Sequence, residues 1–276
     1  MRTPAEWEPH ERTLMGWPCR VELWEAEMER ARSEYAAVAN AVAAFEPVTM
    51  IANPGEDAGL ARAAGGEGVQ IVELPLDDSW LRDSGPIYTY GDDGRRLANH
   101  FGFNAWGEKF PPWDRDAAVG GLIARDLGDP VVESNLILEG GSILLDGEGT
   151  LLTTEQCLLN PNRNPSLTRE QIEAELTARL AVESFVWLGD GLVEDRDTDG
   201  HVDLIASFMS PGRVLLQTVP EDNPNFARCT ENVARLRAAG IEVTEMPWLP
   251  YVQVAGETIA ASYMNFYICN GAVIVP

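Results

Sequence analysis

The sequence has few of the residues that build metal centres and disulfide frameworks. Only three histidines and four cysteines occur among its 276 residues, and no two cysteines form a C-x-x-C pair. We therefore expect neither a structural metal site nor a bound cofactor. The first seven residues contain no apolar signal core. We therefore expect a cytoplasmic protein whose cysteines are reduced thiols.

Positive charge and long apolar runs are also scarce. Twenty Lys and Arg residues stand against 44 Asp and Glu residues, a formal net charge of −24. Such a charge repels nucleic acid. No stretch reaches the ~20 apolar residues that a membrane helix needs. An acidic field attracts cationic substrates, although solubility or a salt-adapted host would explain the charge equally well.

The hydrophobic pattern follows the order strand, strand, helix, strand about four times. No flexible linker divides the chain, so we predict one domain over residues 1–276, although a two-domain α/β protein would give similar local signals. Thr168 begins a capping box and a helix, and Pro224 is predicted at the first position of another helix. The last predicted strands cover residues 263–268 and 272–275. Inward faces are predicted for Trp24, Met28, Ala31, Tyr35, Val38, Val42 and Phe45, and for Phe226, Cys229, Val233 and Leu236.

Residues 195–203, Asp-Arg-Asp-Thr-Asp-Gly-His-Val-Asp, form the segment richest in chemistry. They hold four carboxylates and one imidazole, with His201 two residues before Asp203. If a strand begins at residue 202, His201 and Asp203 point to the same face. A histidine beside a carboxylate can bind a cation and transfer a proton near neutral pH.

Two simpler interpretations of this segment remain open. Asp195, Asp197, Asp199 and Gly200 copy the first half of an EF-hand calcium loop, but Ala206 stands where that loop needs a bidentate glutamate. Residues 184–188, just before it, read as a strand and not as an entering helix. The other interpretation is a solvated acidic turn with a chance histidine.

A second acidic cluster occupies the loop at residues 77–86, Asp-Asp-Ser-Trp-Leu-Arg-Asp-Ser-Gly-Pro, which follows a predicted strand. Trp80 reads either as a loop anchor or as a wall facing a substrate. Asp78 alone reads as a turn or cap residue, and Arg82 as a surface partner of Asp83. Farther on, Glu139 precedes two glycines that permit close backbone approach. Taken alone, it reads as hairpin surface.

Taken together, seven motifs resemble those of the agmatine deiminases of the peptidyl-arginine deiminase, or pentein, superfamily. They span nearly the whole chain in the order of that family. The motifs are Pro4-Ala-Glu-Trp-Glu-Pro-His10, residues 77–86, Phe103-Asn-Ala-Trp-Gly107, Glu139-Gly-Gly-Ser142, Asn160-Pro-Asn-Arg-Asn-Pro165, residues 197–203 and Ser262-Tyr-Met-Asn-Phe-Tyr267.

The resemblance implies an α+β fold, an α/β-propeller (pentein fold) of repeated ββαβ modules, with about four present and the fifth incomplete. It implies that Asp83 and Asp203 bind a guanidinium, that His201 transfers protons and that Glu139 lies beside that histidine. Trp80, Asp78, Asn104 and Trp106 are expected to contact the substrate.

The activity implied is hydrolysis of the C–N bond of a linear amidine, converting agmatine to N-carbamoylputrescine and ammonia on the route to putrescine. In the family a cysteine thiolate attacks the guanidinium carbon, and water hydrolyses the covalent intermediate. None of the four cysteines matches that thiol, and Cys269 reads as a buried structural thiol. We therefore expect a missing C-terminal segment and no turnover. A non-catalytic guanidine-binding pentein and a peptidyl-arginine deiminase are the alternatives; the oligomeric state is left open.

Overall fold

The computed structural model describes residues 1–248, 252–254, 257–259 and 262–275. Four small three-stranded sheets and two hairpins carry the architecture. The sheets are formed by β1 (Thr13–Gly16), β2 (Val48–Ala52) and β3 (Val69–Glu73); β4 (Ile87–Tyr90), β5 (Arg96–Gly102) and β6 (Val131–Ile137); β7 (Ile143–Leu145), β8 (Thr150–Thr154) and β9 (Ser184–Leu188); and β10 (Ala206–Ser210), β11 (Arg213–Gln217) and β12 (Glu242–Met246). The hairpins pair β13 (Val252–Val254) with β14 (Glu257–Ile259) and β15 (Tyr267–Cys269) with β16 (Ala272–Ile274).

Helices connect and cover these sheets. They are α1 (Val21–Trp24), α2 (Met28–Ala43), α3 (Glu56–Ala64), α4 (Leu81–Ser84), α5 (Ala105–Glu108), α6 (Asp114–Asp126), α7 (Glu155–Leu158), α8 (Arg169–Leu180) and α9 (Phe226–Ala238), with short 3-10 turns at Glu25–Glu27, Gly140–Ser142 and Val202–Leu204. None of the helices within the described residues is long and apolar enough to cross a membrane.

Three of the four sheets repeat one topology. In the second, third and fourth sheets, the first strand runs antiparallel to the second, and the second runs parallel to the third. Parallel neighbours need a crossover connection, which α6, α8 and α9 provide. The first sheet differs because β1, β2 and β3 are all parallel, joined through α2 and α3. The predicted ββαβ repeat is therefore present in the last three sheets.

The apolar core lies between neighbouring sheets as well as under each one. One cluster joins the third sheet to the fourth, with Leu152 and Leu188 packed near Leu216 and Leu236. A second cluster joins the second sheet to α8 and the third sheet. The capping box predicted at Thr168 is present: Thr168 and Gln171 satisfy each other's backbone N–H groups. The packing within the two apolar clusters holds neighbouring sheets side by side.

The predicted inward face of the first long helix is partly wrong. Val38 and Phe45 are exposed, whereas Ala36 and Ala39 are buried against β2. The predicted stripe assumed one continuous helix from Trp24 onward. The structure begins α2 at Met28, after a 3-10 turn at Glu25–Glu27, and ends it at Ala43, so Phe45 lies beyond the helix, while Met28, Ala31 and Val42 are buried as predicted.

Two element boundaries also differ from prediction. Helix α9 begins at Phe226, two residues after Pro224, because the turn at 223–225 accepts hydrogen bonds from the first helical amides. Phe226, which was predicted to face inward, is exposed. The strand predicted over residues 263–268 is reduced to β15. There Ser262 accepts from the Met264 amide through its hydroxyl and from the Asn265 amide through its carbonyl, which turns the chain.

Candidate active site

The acidic segment 195–203 is organised by Asp195. Its carboxylate accepts hydrogen bonds from the amides of Thr198 (3.0 Å), Gly200 (2.8 Å) and His201 (3.1 Å). Asp199 and Gly200 adopt positive φ values of 62° and 90°, a conformation that Asp and Gly tolerate better than most residues. The Asp195 carboxylate thus fixes the conformation of its own loop, and this conformation places His201 in the protein interior.

His201 and Asp203 lie together, but not for the reason proposed from a strand. Val202–Leu204 is a 3-10 turn, so the side chains do not alternate as in a strand. The His201 Nδ1 atom nevertheless lies 3.9 Å from Oδ1 of Asp203 and 3.9 Å from Oδ1 of Asp83. His201 is buried, with 2% of its surface exposed. One imidazole therefore stands between two carboxylates from distant parts of the chain.

Gly141 fills the space between these three groups. A Cβ atom there would lie 2.6 Å from Nδ1 of His201, 2.7 Å from Oδ2 of Asp203 and 2.9 Å from Oδ1 of Asp83. These separations are too short for any side chain, so only glycine allows the approach. The Gly141 amide also donates to Oδ1 of Asp83 at 2.8 Å. The paired glycines after Glu139 thus shape the floor of a small polar site.

Glu139 forms a buried ion pair with Arg163. Nε of Arg163 donates to Oε1 of Glu139 at 2.6 Å, and neither side chain is exposed. Arg163 also donates to Asp199 (2.9 Å), to the Asn162 side chain (2.6 Å) and to the carbonyl of Thr198 (3.0 Å). The other carboxylate oxygen of Glu139, Oε2, lies 3.9 Å from Nε2 of His201.

Arg163 was not predicted as a site residue. Its signal was present in Asn160-Pro-Asn-Arg-Asn-Pro165, where a cation sits between turn formers inside a family motif. Burial of an arginine cannot be read from a loop sequence, because long charged side chains normally reach solvent.

Arg82 was predicted to be a surface partner of Asp83. Its guanidinium instead pairs with Glu6 at 2.6 Å.

Cys157, in the short helix α7, lies close to Glu139 and His201. Its Sγ atom and the donor atoms of Glu139 and His201 all lie within 4.8 Å of one another. These three are the residues of the described chain that could hold a metal ion as a set. The guanidinium of Arg163, bonded to Glu139, already supplies positive charge there. Burial raises the pKa of the Cys157 thiol, with His201 acting in the opposite direction.

The electrostatics of the site favour a charged imidazole. Burial alone would lower the pKa of His201, but Asp83, Cys157 and Asp203 outweigh burial and hold it well above 6.5. Burial raises the pKa of Asp203 to about 6, opposed by His201 and supported by the charge of Asp83. At neutral pH the site therefore combines a charged imidazole with the Asp203 carboxylate, whose pKa is about 6, an arrangement suited to proton transfer.

Asp78 and Trp80 belong to a neighbouring aromatic cluster. The two oxygens of the buried Asp78 accept from the indole N–H groups of Trp24 (3.2 Å) and Trp80 (3.0 Å). The two indoles are stacked, with centroids 5.9 Å apart and planes 16° from parallel. Trp80 keeps 42% of its surface exposed. Asp78 thus holds the two stacked indoles in place, and its oxygens are occupied by their N–H groups. Trp80, three residues before Asp83, presents an open aromatic face.

Asn104 and Trp106 belong to another loop beside the site. Asn104 accepts from the Gly107 amide at 2.9 Å and donates to the carbonyl of Asn162 at 2.9 Å. The indole N–H of Trp106 donates to Oδ2 of Asp83 at 3.0 Å. The structure therefore joins Asp83, Glu139, His201, Asp203 and Trp106 in one contact network, whereas Asn104 acts on a loop beside it.

Comparison with known proteins assigns the chain to a family. The model of the Porphyromonas-type peptidyl-arginine deiminase family matches residues 2–276. The chain belongs to that family. The agmatine deiminase of Stutzerimonas stutzeri is 41% identical over 99% of this chain and 82% of its own length.

Solved structures agree with this assignment. The agmatine deiminase of Enterococcus faecalis superposes with a TM-score of 0.93 at 32% identity, covering 100% of this chain and 83% of that one. A cysteine-to-serine variant of C. jejuni agmatine deiminase with substrate bound gives 0.93 at 29% identity, covering 100% and 82%. These likenesses confirm the predicted pentein propeller. The chain spans about four-fifths of the length of each of these relatives.

Proposed function

We propose that this chain binds agmatine through its guanidinium and provides the substrate-binding and proton-transfer groups of an agmatine deiminase. The observation that carries the proposal is the placement of Asp83 and Asp203 around His201, each at 3.9 Å and all three in close approach to Gly141. A guanidinium is planar, permanently charged and rich in N–H donors, which two carboxylates match. The close relatives carry the name agmatine deiminase.

Each residue has a role that its contacts support. Asp83 and Asp203 hold the guanidinium and balance its charge. His201, charged at neutral pH, gives its proton to the departing ammonia and then accepts one from the water that hydrolyses the intermediate. Glu139, fixed by Arg163 through Oε1, presents Oε2 to the far side of the imidazole and stabilises its charged form.

The attacking thiolate is not supplied by the four cysteines of this chain. Burial raises the pKa of Cys19 to about 12 and that of Cys229 to about 11, and it also raises the pKa values of Cys157 and Cys269. A nucleophilic cysteine needs the opposite shift. We therefore propose that residues 1–276 by themselves bind agmatine without turning it over. The four free thiols fit a reducing cytoplasm.

Agmatine is the preferred guanidine on electrostatic grounds. It carries a guanidinium and a primary ammonium, and a protein of charge −24 attracts such a dication. The exposed face of Trp80 offers a surface on which a cation can stack. Free arginine would bring a carboxylate into the same acidic field, and a peptidyl arginine would lack the ammonium.

Isothermal titration calorimetry of the chain with agmatine, arginine and putrescine tests the proposal. Putrescine keeps the ammonium ends but lacks the guanidinium, so it reports non-specific attraction by negative charge. Agmatine is expected to bind more tightly than arginine, and putrescine least tightly. Equal binding of agmatine and putrescine would refute a guanidinium site. Equal or tighter binding of arginine would overturn the choice of agmatine while leaving that site intact.

A further inference from the structure

Four consecutive residues beside the site adopt an unfavourable backbone conformation. Ala105, Trp106, Gly107 and Glu108 have φ values of 50°, 57°, 87° and 64°. Only glycine enters this region without steric conflict, so three of the four are strained. Such strain persists only where surrounding contacts impose it, and it is concentrated at functional sites. The strained conformation of residues 105–108 therefore indicates a function other than the stability of the segment itself.

Contacts at both ends of this segment impose the shape. Asn104 accepts from the amide of Gly107 through its side chain and from the amide of Glu108 (2.7 Å) through its carbonyl. Lys109 reaches the loop of the acidic segment, where its Nζ atom lies 2.7 Å from Oδ1 of Asp199. Gly107 packs so tightly that a Cβ atom there would lie 2.3 Å from Nδ2 of Asn162.

The strained backbone aims the indole of Trp106 at Asp83. The ring is buried and meets Phe103 edge to face at 5.1 Å and Phe110 at 5.7 Å. Its N–H group donates to Oδ2 of Asp83, while the Gly141 amide donates to Oδ1. Each oxygen of the Asp83 carboxylate thus accepts a hydrogen bond from one fixed donor. The two bonds together prevent rotation of the carboxylate. Oδ1 of Asp83 also lies 3.9 Å from Nδ1 of His201.

We propose that Trp106 is a positioning residue that sets guanidinium affinity through Asp83 and not by contact with the rest of the substrate. This inference rests on the proposed function and specifies how that site is preorganised. Fixing a binding group before the ligand arrives removes part of the cost of association. Loss of the indole donor frees the carboxylate and weakens every ligand that carries a guanidinium by the same factor.

Trp106→Phe tests this role because it keeps an aromatic ring but removes the N–H donor. Affinities for agmatine and for methylguanidine, which lacks the butylammonium tail, are measured by titration calorimetry. We expect both to weaken by the same factor, about 10-fold or more, as for loss of a hydrogen bond to a charged group. Trp113→Phe is the matched control, because Trp113 packs against the same aromatic cluster. It should leave both affinities within about threefold of wild type, as for a substitution outside such a bond.

The outcomes separate this inference from the proposed function. A wild-type chain that binds neither ligand refutes the guanidinium site itself. Wild-type binding with unchanged affinities in Trp106→Phe refutes the role of Trp106 alone, and so does weakening confined to agmatine, which would indicate direct contact with the tail. If Trp106→Phe does not fold, Asn104→Ala serves instead, since it releases the strained turn and keeps the indole. Unchanged affinities in folded Asn104→Ala would likewise overturn the proposal.

Discussion

Arg163 and Glu139 form an ion pair from which solvent is excluded on both sides: Nε lies 2.6 Å from Oε1, and neither side chain is exposed. The pair leaves Oε2 of Glu139 facing His201. Removal of Arg163 would leave the buried Glu139 carboxylate without its hydrogen-bonded partner, which is far more costly than loss of a surface pair. The position of the carboxylate beside His201 therefore depends on Arg163, which does not contact the imidazole itself.

Arg163→Met should destabilise the protein by about 3–5 kcal/mol, the cost of breaking a buried pair. Urea unfolding followed by tryptophan fluorescence measures the change. Arg179→Met is the matched control, because Arg179 pairs with Glu175 on the surface of α8 and should cost at most about 0.5 kcal/mol. The double variant Arg163→Met, Glu139→Leu should recover stability, since no charge is left unpaired. Equal effects of the two single variants would contradict the buried-pair account.

Asp83→Asn should weaken agmatine binding strongly, because it removes the charge that balances a desolvated guanidinium. Truncation of such a pair costs roughly 2–5 kcal/mol, or about 30- to 5,000-fold in affinity. Titration calorimetry measures the loss. Asp126→Asn, an exposed position on α6, removes the same formal charge and should change affinity little. A similar loss in both variants would show that net charge, and not the site, binds the ligand.

Agmatine binding should depend on pH through Asp203. Burial raises the pKa of this carboxyl to about 6 in the free protein, and a bound guanidinium favours the ionised form. Affinity is therefore fully present well above pH 6 and declines as pH falls through that value. Titrations between pH 5 and 8 should show the decline in wild type and not in Asp203→Asn, which should bind weakly throughout. A pH-independent wild-type affinity would disprove the role of Asp203.

Residues 1–276 should release no ammonia from agmatine. Attack on a resonance-stabilised guanidinium needs a thiolate, and burial raises the pKa of each of the four thiols. An enzyme-coupled ammonia assay measures turnover. Release that is abolished by Cys157→Ser or by Cys269→Ala would contradict this expectation and identify that thiol as the nucleophile. Cys229→Ser controls for general effects of thiol removal.

Local signals predicted much of the fold because they depend on near neighbours. The capping box at Thr168 and the alternation of strands and helices are properties of short segments, and the structure retains them. Failures occurred where a local break altered a longer pattern. Helix α2 ends at Ala43, which leaves Phe45 outside the predicted stripe, and the 3-10 turn at Val202–Leu204 replaced the start of a strand.

The site was less accessible to sequence reasoning. Asp83, Glu139, His201 and Asp203 were expected to meet because of the family resemblance, since spacing alone relates only the last two. Arg163 was missed because its burial arises from the folding of three loops around it. The link from Trp106 to Asp83 depends on a left-handed backbone, which residue identities at these positions do not indicate.

A crystal structure of the chain with agmatine is the most direct test of the central claim. We predict the guanidinium between the carboxylates of Asp83 and Asp203, over Gly141, with its central carbon beside the imidazole of His201. The ammonium end should point away from this acidic pair. Agmatine bound with its ammonium between the two aspartates, or at a different place on the protein, would contradict the account.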